Sequence, residues 1–428
     1  MKLVKSLLLG TAAGLAAVAG AHAADLPVKK AAAVEYVRLC STYGAGFFYI
    51  PGTETCLRVG GRVRAEYLYA EPTIRADDTI GFRARGRIQL DARTATAYGL
   101  LRTFVRMEMT RNTGAYGFSS TSPNIAQAFI QFGGLTAGRV TSFFSNSDMT
   151  NDNWGTVRFY DAPDVNLLAY TFTFGNGFSA SLSLEDGTVT RLNGFVAGGA
   201  NVAALDYAGE RAPDVVANVK YVGTWGSAQL SGAVHQIRSG NPLIGGDGAA
   251  FYPDTEYGYA VSGQVAINLP MLAAGDSVWF AATYANGALA YLGFDEENRA
   301  GRASGAVADA YVDLADGEIE RAHGWSVAGG LQHYWTPEVR QSIFGSYARV
   351  EYGSGASVIN NAGFVTGLAD FNEWRVGTNL IWSPVSGLDI GAEVIYANVD
   401  PRGRVIVDGA EFGSDSAWEG RLRVQRTF

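Results

Sequence analysis

Arginine occupies every second position in the middle of residues 80–91, which read IGFRARGRIQLD. Arg83, Arg85 and Arg87 therefore share one face of an extended chain, whereas the other face is aliphatic or aromatic. A guanidinium group keeps its charge at any physiological pH and forms rigid forks to carboxylates. The chemistry that this spacing indicates is electrostatic, namely a permanent row of positive charge.

The same spacing recurs in neighbouring segments, so the row becomes a wall. The predicted basic wall consists of Arg62, Arg64, Arg83, Arg85, Arg87, Arg102 and Arg106. Three more arginines share its face at the margins, Arg58, Arg421 and Arg423. Three acids share the same faces and are expected to neutralise part of the charge, Glu66, Asp91 and Glu108. Charged rings around an aqueous path select solutes by electrostatics, and a solvated wall without selectivity is the alternative.

Residues 141–165 hold the candidate acids that would face this wall. These acids are Asp148, Asp152, Asp161 and Asp164, and a single Arg158 opposes them within the segment. The segment also contains five aromatic residues, Phe143, Phe144, Trp154, Phe159 and Tyr160. A connection of this length with so many aromatic side chains indicates packed structure of its own. Folding it inward would set its carboxylates opposite the arginines, and an ordinary surface loop is the alternative.

Period-two alternation of apolar and polar residues continues along the chain and predicts sixteen strands. Their lengths lie near the ~9–11 residues that a tilted strand needs to cross a bilayer. The predicted strands are residues 57–69, 80–92, 98–110, 123–132, 135–140, 166–174, 178–185, 214–222, 228–236, 257–267, 277–284, 325–335, 339–350, 372–382, 388–397 and 417–428.

Short and long connections alternate between these strands, as residues 133–134 and 141–165 illustrate. Short periplasmic turns, long extracellular loops and an even strand count are typical of bacterial outer-membrane barrels. An arginine on the lipid face costs roughly 2–4 kcal/mol at the bilayer midplane, so the arginine face must line water. The sequence therefore predicts an all-β, 16-stranded antiparallel transmembrane β-barrel.

The N-terminus predicts export. Lys2 and Lys5 precede the apolar residues 7–18, and small residues before position 24 offer a cleavage site. This arrangement is typical of a secretory signal peptide. We therefore predict a cleaved signal peptide at residues 1–23 and a single β-barrel domain at residues 24–428.

Reactive side chains are scarce. Cys40 and Cys56 are the only cysteines; in an exported protein they indicate one disulfide, with two buried free thiols as the alternative. His235, His323 and His333 are the only histidines after the signal, and no Gly-x-Ser-x-Gly motif occurs, so an enzyme has no support. The acidic loops do not match calcium-loop spacing, and a net charge of −8 argues against nucleic acid. No metal or cofactor is expected.

Two segments carry a resemblance to a known family. Residues 40–61, CSTYGAGFFYIPGTETCLRVGG, and residues 127–139, QAFIQFGGLTAGR, resemble the alphaproteobacterial porins of the Brucella and Rhizobium type. The resemblance covers the chain end to end, including the signal peptide and the terminal Phe428. It implies a sixteen-stranded barrel, usually a homotrimer, whose third extracellular loop folds into the lumen with an acidic side facing a basic wall.

The resemblance also implies a function. We expect a general diffusion porin, embedded in outer-membrane lipids, that passes small hydrophilic solutes and ions. The terminal Phe428 is expected to be read by the outer-membrane assembly machinery, and the candidate loop acids are Asp148, Asp152, Asp161 and Asp164.

Alternative functions stay open at this point. A substrate-specific channel, for example a sugar-selective one, could use Trp154, Phe159 and Tyr160 for stacking. A surface receptor or anchor could use the long loops. More often, aromatic residues of such barrels form girdles at the membrane interfaces, and this is the role predicted for Trp279, Trp325, Trp335, Trp374, Trp382 and Trp418.

Overall fold

The structure of the chain is a computed structural model. It describes residues 38–72, 74–117, 123–149, 153–157, 163–193, 202–294, 298–300, 303–305, 307–353, 355–359, 365–403, 405–407 and 410–428. The predicted signal peptide lies outside the described residues. In the part of the chain that is described, no helix has the length and apolar character that crossing a membrane requires.

Sixteen long strands form one antiparallel sheet. In chain order they are β1 (Cys56–Ala70), β2 (Ile80–Thr96), β3 (Gly99–Gly114), β4 (Pro123–Phe132), β5 (Leu135–Thr141), β6 (Asp164–Gly175), β7 (Phe178–Glu185), β8 (Asp214–Gly223), β9 (Gly226–Ile237), β10 (Glu256–Asn268), β11 (Ser277–Asn286), β12 (His323–Thr336), β13 (Val339–Glu351), β14 (Phe371–Val385), β15 (Leu388–Pro401) and β16 (Asp415–Thr427).

The sheet closes on itself. Each strand pairs with its neighbours in chain order, and β16 pairs with β1. Beyond the last strand, the backbone of Phe428 exchanges hydrogen bonds of 2.9 and 3.0 Å with Gly61. A Cβ atom at Gly61 would lie 2.5 Å from the Phe428 ring, so glycine makes room for this seam. Closure gives the backbone N–H and C=O groups at the sheet edges hydrogen-bond partners, which lipid could not provide.

All sixteen predicted strands are present, and the predicted fold class is confirmed. The strand ends differ from the prediction. β2 continues to Thr96 because it pairs with β3 almost to the turn, although the sequence contrast between its two faces fades after residue 92. β6 begins at Asp164, a position that the sequence assigned to the connection before it.

The two faces of the barrel differ as the alternation predicted. Outward apolar side chains such as Val63 and Phe82 are each 58% exposed, whereas the inward carboxylates of Glu66 and Asp91 are only 5% and 1% exposed. The apolar face is the surface that a bilayer covers, and the charged face surrounds the lumen.

An aromatic girdle follows the outer face near the long-loop rim. From β10 to β16 it consists of Tyr259, Tyr284, Trp325, Tyr347, Trp374, Tyr396 and Trp418. Four adjacent pairs of these rings are in contact, with centroids 4.8 Å apart for Tyr396 and Trp418. The prediction for Trp279 was wrong: this side chain points inward and is 4% exposed. It lies in phase with the buried Ala281 and Thr283, whereas Phe280 between them faces outward.

The long connections pack over one end of the barrel. Their core joins Leu192, Leu289 and Tyr311 to side chains of the strands beneath. Asp309, fully buried here, accepts hydrogen bonds from the backbone amides of Leu192 at 2.8 Å and Leu289 at 2.6 Å. Burial raises the pKa of the Asp309 carboxyl to about 6.

The N-terminal residues that the structure describes are attached to the start of β1. Cys40 and Cys56 form a disulfide, which confirms the prediction of one bridge. Both cysteines are buried beside Phe47, and Phe48–Tyr49 forms a short antiparallel pair with β1. The bridge thus ties this segment to the rim opposite the long connections.

Candidate functional site

The arginine wall is built by strand register. On β1 and β2, Arg62 lies opposite Arg87 and Arg64 lies opposite Arg85, with all four side chains on the lumen side. Like charges directly opposite one another destabilise a sheet. The wall therefore depends on acids that share the same face and on water in the lumen.

Glu66 is the first of these acids. Its carboxylate lies 2.5 Å from the guanidinium of Arg423, 3.8 Å from that of Arg83 and 4.0 Å from that of Arg64. The Arg423 pair joins β16 to β1, so this contact also closes the barrel seam.

Glu108 on β3 is the second acid. Its carboxylate accepts a hydrogen bond of 2.5 Å from Nε of Arg87. It lies 3.5 Å from Arg85 and 4.0 Å from Arg62. One carboxylate again serves three arginines.

Asp91 on β2 is the third acid, and its partners lie toward the short-turn rim. It pairs with Arg93 at 2.8 Å, with Arg102 at 3.0 Å and with Arg58 at 3.6 Å. The expected partial neutralisation by these acids is confirmed. In the described residues, nine guanidinium groups share three carboxylates, which leaves a formal surplus of six positive charges on this wall.

The described residues of the connection from β5 to β6, namely 142–149, 153–157 and 163, are called L3 below and lie inside the barrel. Near its start, the backbone amide of Phe143 donates to Glu185 at 3.0 Å and that of Asn146 donates to Gln264 at 2.6 Å. Further on, the amides of Trp154 and Gly155 each donate to Glu393 of β15 at 2.7 Å. L3 therefore reaches from the wall at β7 and β10 to β15 on the far side of the lumen.

Apolar contacts hold L3 against that far wall. Met149 and Val157 of L3 pack with Trp279, Phe344 and Ile395 from three different strands. Burying side chains of this size stabilises the contact by roughly 1.5–3 kcal/mol each. L3 is thus fixed in the lumen by both its amides and its side chains.

The tip of L3 meets the end of the arginine wall. The Arg423 guanidinium lies over the Trp154 ring, 4.3 Å from its centre. Arg62 and Arg64 line a cavity of about 210 Å³ beside Trp154. The other residues that line this cavity are Asn153, Arg340, Ile381, Asp389, Arg423 and Gln425.

Residues 25–420 match the family described as the porin subfamily. The chain belongs to this family. Porin Omp2b of Brucella suis is 31% identical over 456 residues, which cover 99% of this chain and all of the relative. Porin Omp2b of Brucella canis is 31% identical over 99% of both chains. The outer membrane channel DcaP of Acinetobacter baumannii has the same fold, with a TM-score of 0.63 at 17% identity, over 89% of this chain and 99% of that one.

Family and fold together define the class of the molecule. It is a porin of the bacterial outer membrane, whose sixteen strands form a closed β-barrel. The predicted family is confirmed.

The candidate acids of this porin have different surroundings. Asp148 forms an ion pair of 2.8 Å with Lys220 of β8, away from the arginine wall. Asp164 pairs with Arg106 at 3.0 Å and accepts a hydrogen bond from Gln127 at 2.8 Å, so it belongs to the wall itself. Asp152 and Asp161 lie outside the described residues.

Sequence reasoning missed the groups that position L3. The alternation puts Glu393 on the lumen side of β15, yet its bonds to Trp154 and Gly155 join residues 239 and 238 positions apart. The sequence offered one indication of this role: Glu393 is an inward carboxylate with no arginine beside it in its own strand. For Trp279 the sequence pointed away from such a role, because its residue type suggested the membrane interface.

Proposed function

We propose that this porin sorts solutes by size and by charge at one constriction, the gap between L3 and the arginine wall of β1–β3 and β16. The observation that supports this most directly is the hydrogen-bonded docking of Trp154 and Gly155 on Glu393. It holds L3 across the lumen while the arginines stay 14–25% exposed at their side chains. Solutes passing the gap come within a Debye length, ~8 Å at physiological salt, of fixed charge.

The basic side of this gap is Arg62, Arg64, Arg83, Arg85, Arg87, Arg102 and Arg106. The acidic side rests on the four loop aspartates of the sequence analysis. Asp148 and Asp164 each have a basic partner, whereas Asp152 and Asp161 lie outside the described residues and are candidates from the sequence alone. Replacing those two with Asn is expected to shift the reversal potential toward anions, whereas replacing Asp148 alone is expected to change it little.

Liposome swelling tests the diffusion mechanism. Liposomes that contain the purified porin should swell at rates that fall smoothly as neutral sugars grow larger. A sugar that enters much faster than others of its size would favour the substrate-specific channel instead. Trp154 gives that alternative little support, because Arg423 already covers one face of its ring.

We also propose that the porin assembles as a homotrimer through the outer face of β3–β5. The girdle that follows β10–β16 is absent from the described part of these strands, where Val105, Met107, Ala128 and Ala137 face outward. Girdles mark contact with lipid headgroups, and small or flexible apolar side chains suit contact with another copy.

Electrophoresis tests the assembly. Unheated protein in SDS should migrate as an oligomer and collapse to the monomer on boiling. A cysteine introduced at Val105 should form crosslinks between copies in native membranes, while one introduced at Leu422, on the outer face of β16, should not. Monomers under all these conditions would contradict the proposal.

A further inference from the structure

Among the described residues, the lining of the cavity beside Trp154 carries more positive than negative charge. Four of these residues have guanidinium groups, Arg62, Arg64, Arg340 and Arg423, and one has a carboxylate, Asp389. The Asp389 carboxylate forms an ion pair with Arg340 at 3.4 Å.

The remaining guanidinium groups differ in how well they are satisfied. Arg423 has Glu66 at 2.5 Å. Arg62 and Arg64, in contrast, have no carboxylate nearer than 4.0 Å within the described residues, although Nε of Arg64 donates a hydrogen bond to the Gln425 amide oxygen at 3.0 Å. Their side chains are 18% and 14% exposed, so they are partly desolvated yet remain accessible from the lumen. Partly desolvated charge of this kind gains most from an added counter-ion.

The size and the lining of the cavity suit a small oxyanion. Guanidinium forks bind the paired oxygens of carboxylate or phosphate groups in a bidentate manner. Asn153 and Gln425 line the same space and carry amide groups. At ~30 Å³ per water, a volume of about 210 Å³ holds an oxyanion of a few heavy atoms together with several waters.

We propose that Arg62 and Arg64, beside Trp154, form a saturable subsite for small oxyanions, of the phosphate or carboxylate class, within the constriction. The inference rests on the proposed solute path between L3 and the arginine wall. It adds a specific step to diffusion: an oxyanion pauses at the paired forks and then leaves, while chloride, which has no paired oxygens, passes with less delay. The surplus positive charge of the arginine wall, of which Arg62 and Arg64 are part, raises the local concentration of such anions.

Chloride current in planar bilayers tests the subsite, with inorganic phosphate as the probe. Added phosphate dianion should reduce the single-channel chloride conductance along a saturating curve. In the R62Q/R64Q variant the half-blocking concentration should rise at least ~10-fold, while single channels still open. Arg75→Gln, an exposed residue between β1 and β2, is the charge-matched control and should block like the wild type.

Two further arms refine the result. R62K/R64K keeps the charge but lacks the fork, and its block by phosphate should fall between those of wild type and R62Q/R64Q. The same measurement with acetate in place of phosphate distinguishes two kinds of site. Block by acetate indicates a site that accepts carboxylates, and block by phosphate alone indicates a site that requires a dianion. Two results would overturn the subsite. One is that phosphate does not block the chloride current of open wild-type channels in a saturable way. The other is that phosphate blocks R62Q/R64Q as well as it blocks the wild type. Failure of the wild type to form channels would instead contradict the proposed function.

Discussion

Arg62 lies directly opposite Arg87 in the register of β1 and β2, and the two guanidinium groups share the single carboxylate of Glu108. Two positive charges at this spacing repel each other unless a counter-charge lies between them. The lumen wall therefore contains many more arginines than acids. Because each carboxylate offsets only one of the positive charges around it, the wall keeps a positive surplus.

Removing the shared carboxylate should increase the surplus. In Glu108→Gln, Arg62, Arg85 and Arg87 lose their common partner. The reversal potential in a salt gradient should move toward anions, and the barrel should unfold more easily by about 1–3 kcal/mol. Glu54→Gln, a change of equal charge at an exposed site before β1, should alter neither quantity. An unchanged reversal potential in Glu108→Gln would contradict the counter-charge role.

The docking of L3 depends on Glu393. Glu393→Gln replaces two hydrogen bonds from amides to a charged acceptor with weaker ones, each change worth roughly 1 kcal/mol. Single-channel recordings should show more current noise and a higher mean conductance, because L3 moves away from the far wall part of the time. Asp400→Asn, at an exposed site on the same strand, is the control. Quiet channels of normal size in Glu393→Gln would count against this docking.

The apolar half of the docking depends on a glycine. A Cβ atom at Gly330 of β12 would lie 2.6 Å from Nε1 of Trp279, so Gly330→Ala should push the ring against Met149 and Val157 of L3. Overpacking of this kind costs roughly 1–3 kcal/mol, measurable as a lower unfolding midpoint. Gly263→Ala is the matched control in β10, because nothing lies within 4 Å of its added Cβ. Equal midpoints for the two variants would refute the close packing at Trp279.

Packing over the barrel mouth should depend on pH through Asp309. Its pKa is raised to about 6 by burial, so the folded loops favour the protonated carboxyl. The contribution is fully present below the ordinary pKa of an aspartate and is lost as pH rises through about 6. Tyr207, which donates to Asp309 at 2.9 Å, also lies 3.0 Å from His235, whose ring contacts Asp214.

Hydrogen exchange measures this dependence. After correction for intrinsic rates, amides near Leu192 and Leu289 should exchange faster at neutral pH than in mild acid. Asp309→Asn should flatten the difference, since its amide does not titrate. His235→Gln separates the contribution of the histidine from that of Asp309. A pH difference in Asp309→Asn equal to that of the wild type would refute the role of this carboxyl.

The sequence predicted what depends on local alternation. Every second residue from Arg83 to Asp91 is polar, and this alternation predicts the strand and the shared face of Arg83, Arg85 and Arg87. The cost of arginine in lipid then assigns that face to the lumen. The sharing of Glu108 by three arginines depends on the register of three strands, which alternation does not contain.

The path of L3 depends on contacts between residues far apart in the sequence. The alternation of polar and apolar residues within a strand cannot predict such contacts. Glu393 and Trp279 position the loop from strands far along the chain. For Trp279, residue type suggested the membrane interface, whereas the phase of its strand directs the side chain inward. Strand phase was therefore the better guide than residue type.

The charge of the lumen wall is the central claim, and the reversal potential of the R83A/R85A/R87A variant in a salt gradient tests it most directly. The variant should shift strongly toward cations relative to wild type, and the shift should shrink at high salt, where screening shortens the field. The control Arg75→Ala should behave like the wild type. If R83A/R85A/R87A forms open channels whose reversal potential equals that of the wild type, the arginine wall does not act on passing ions.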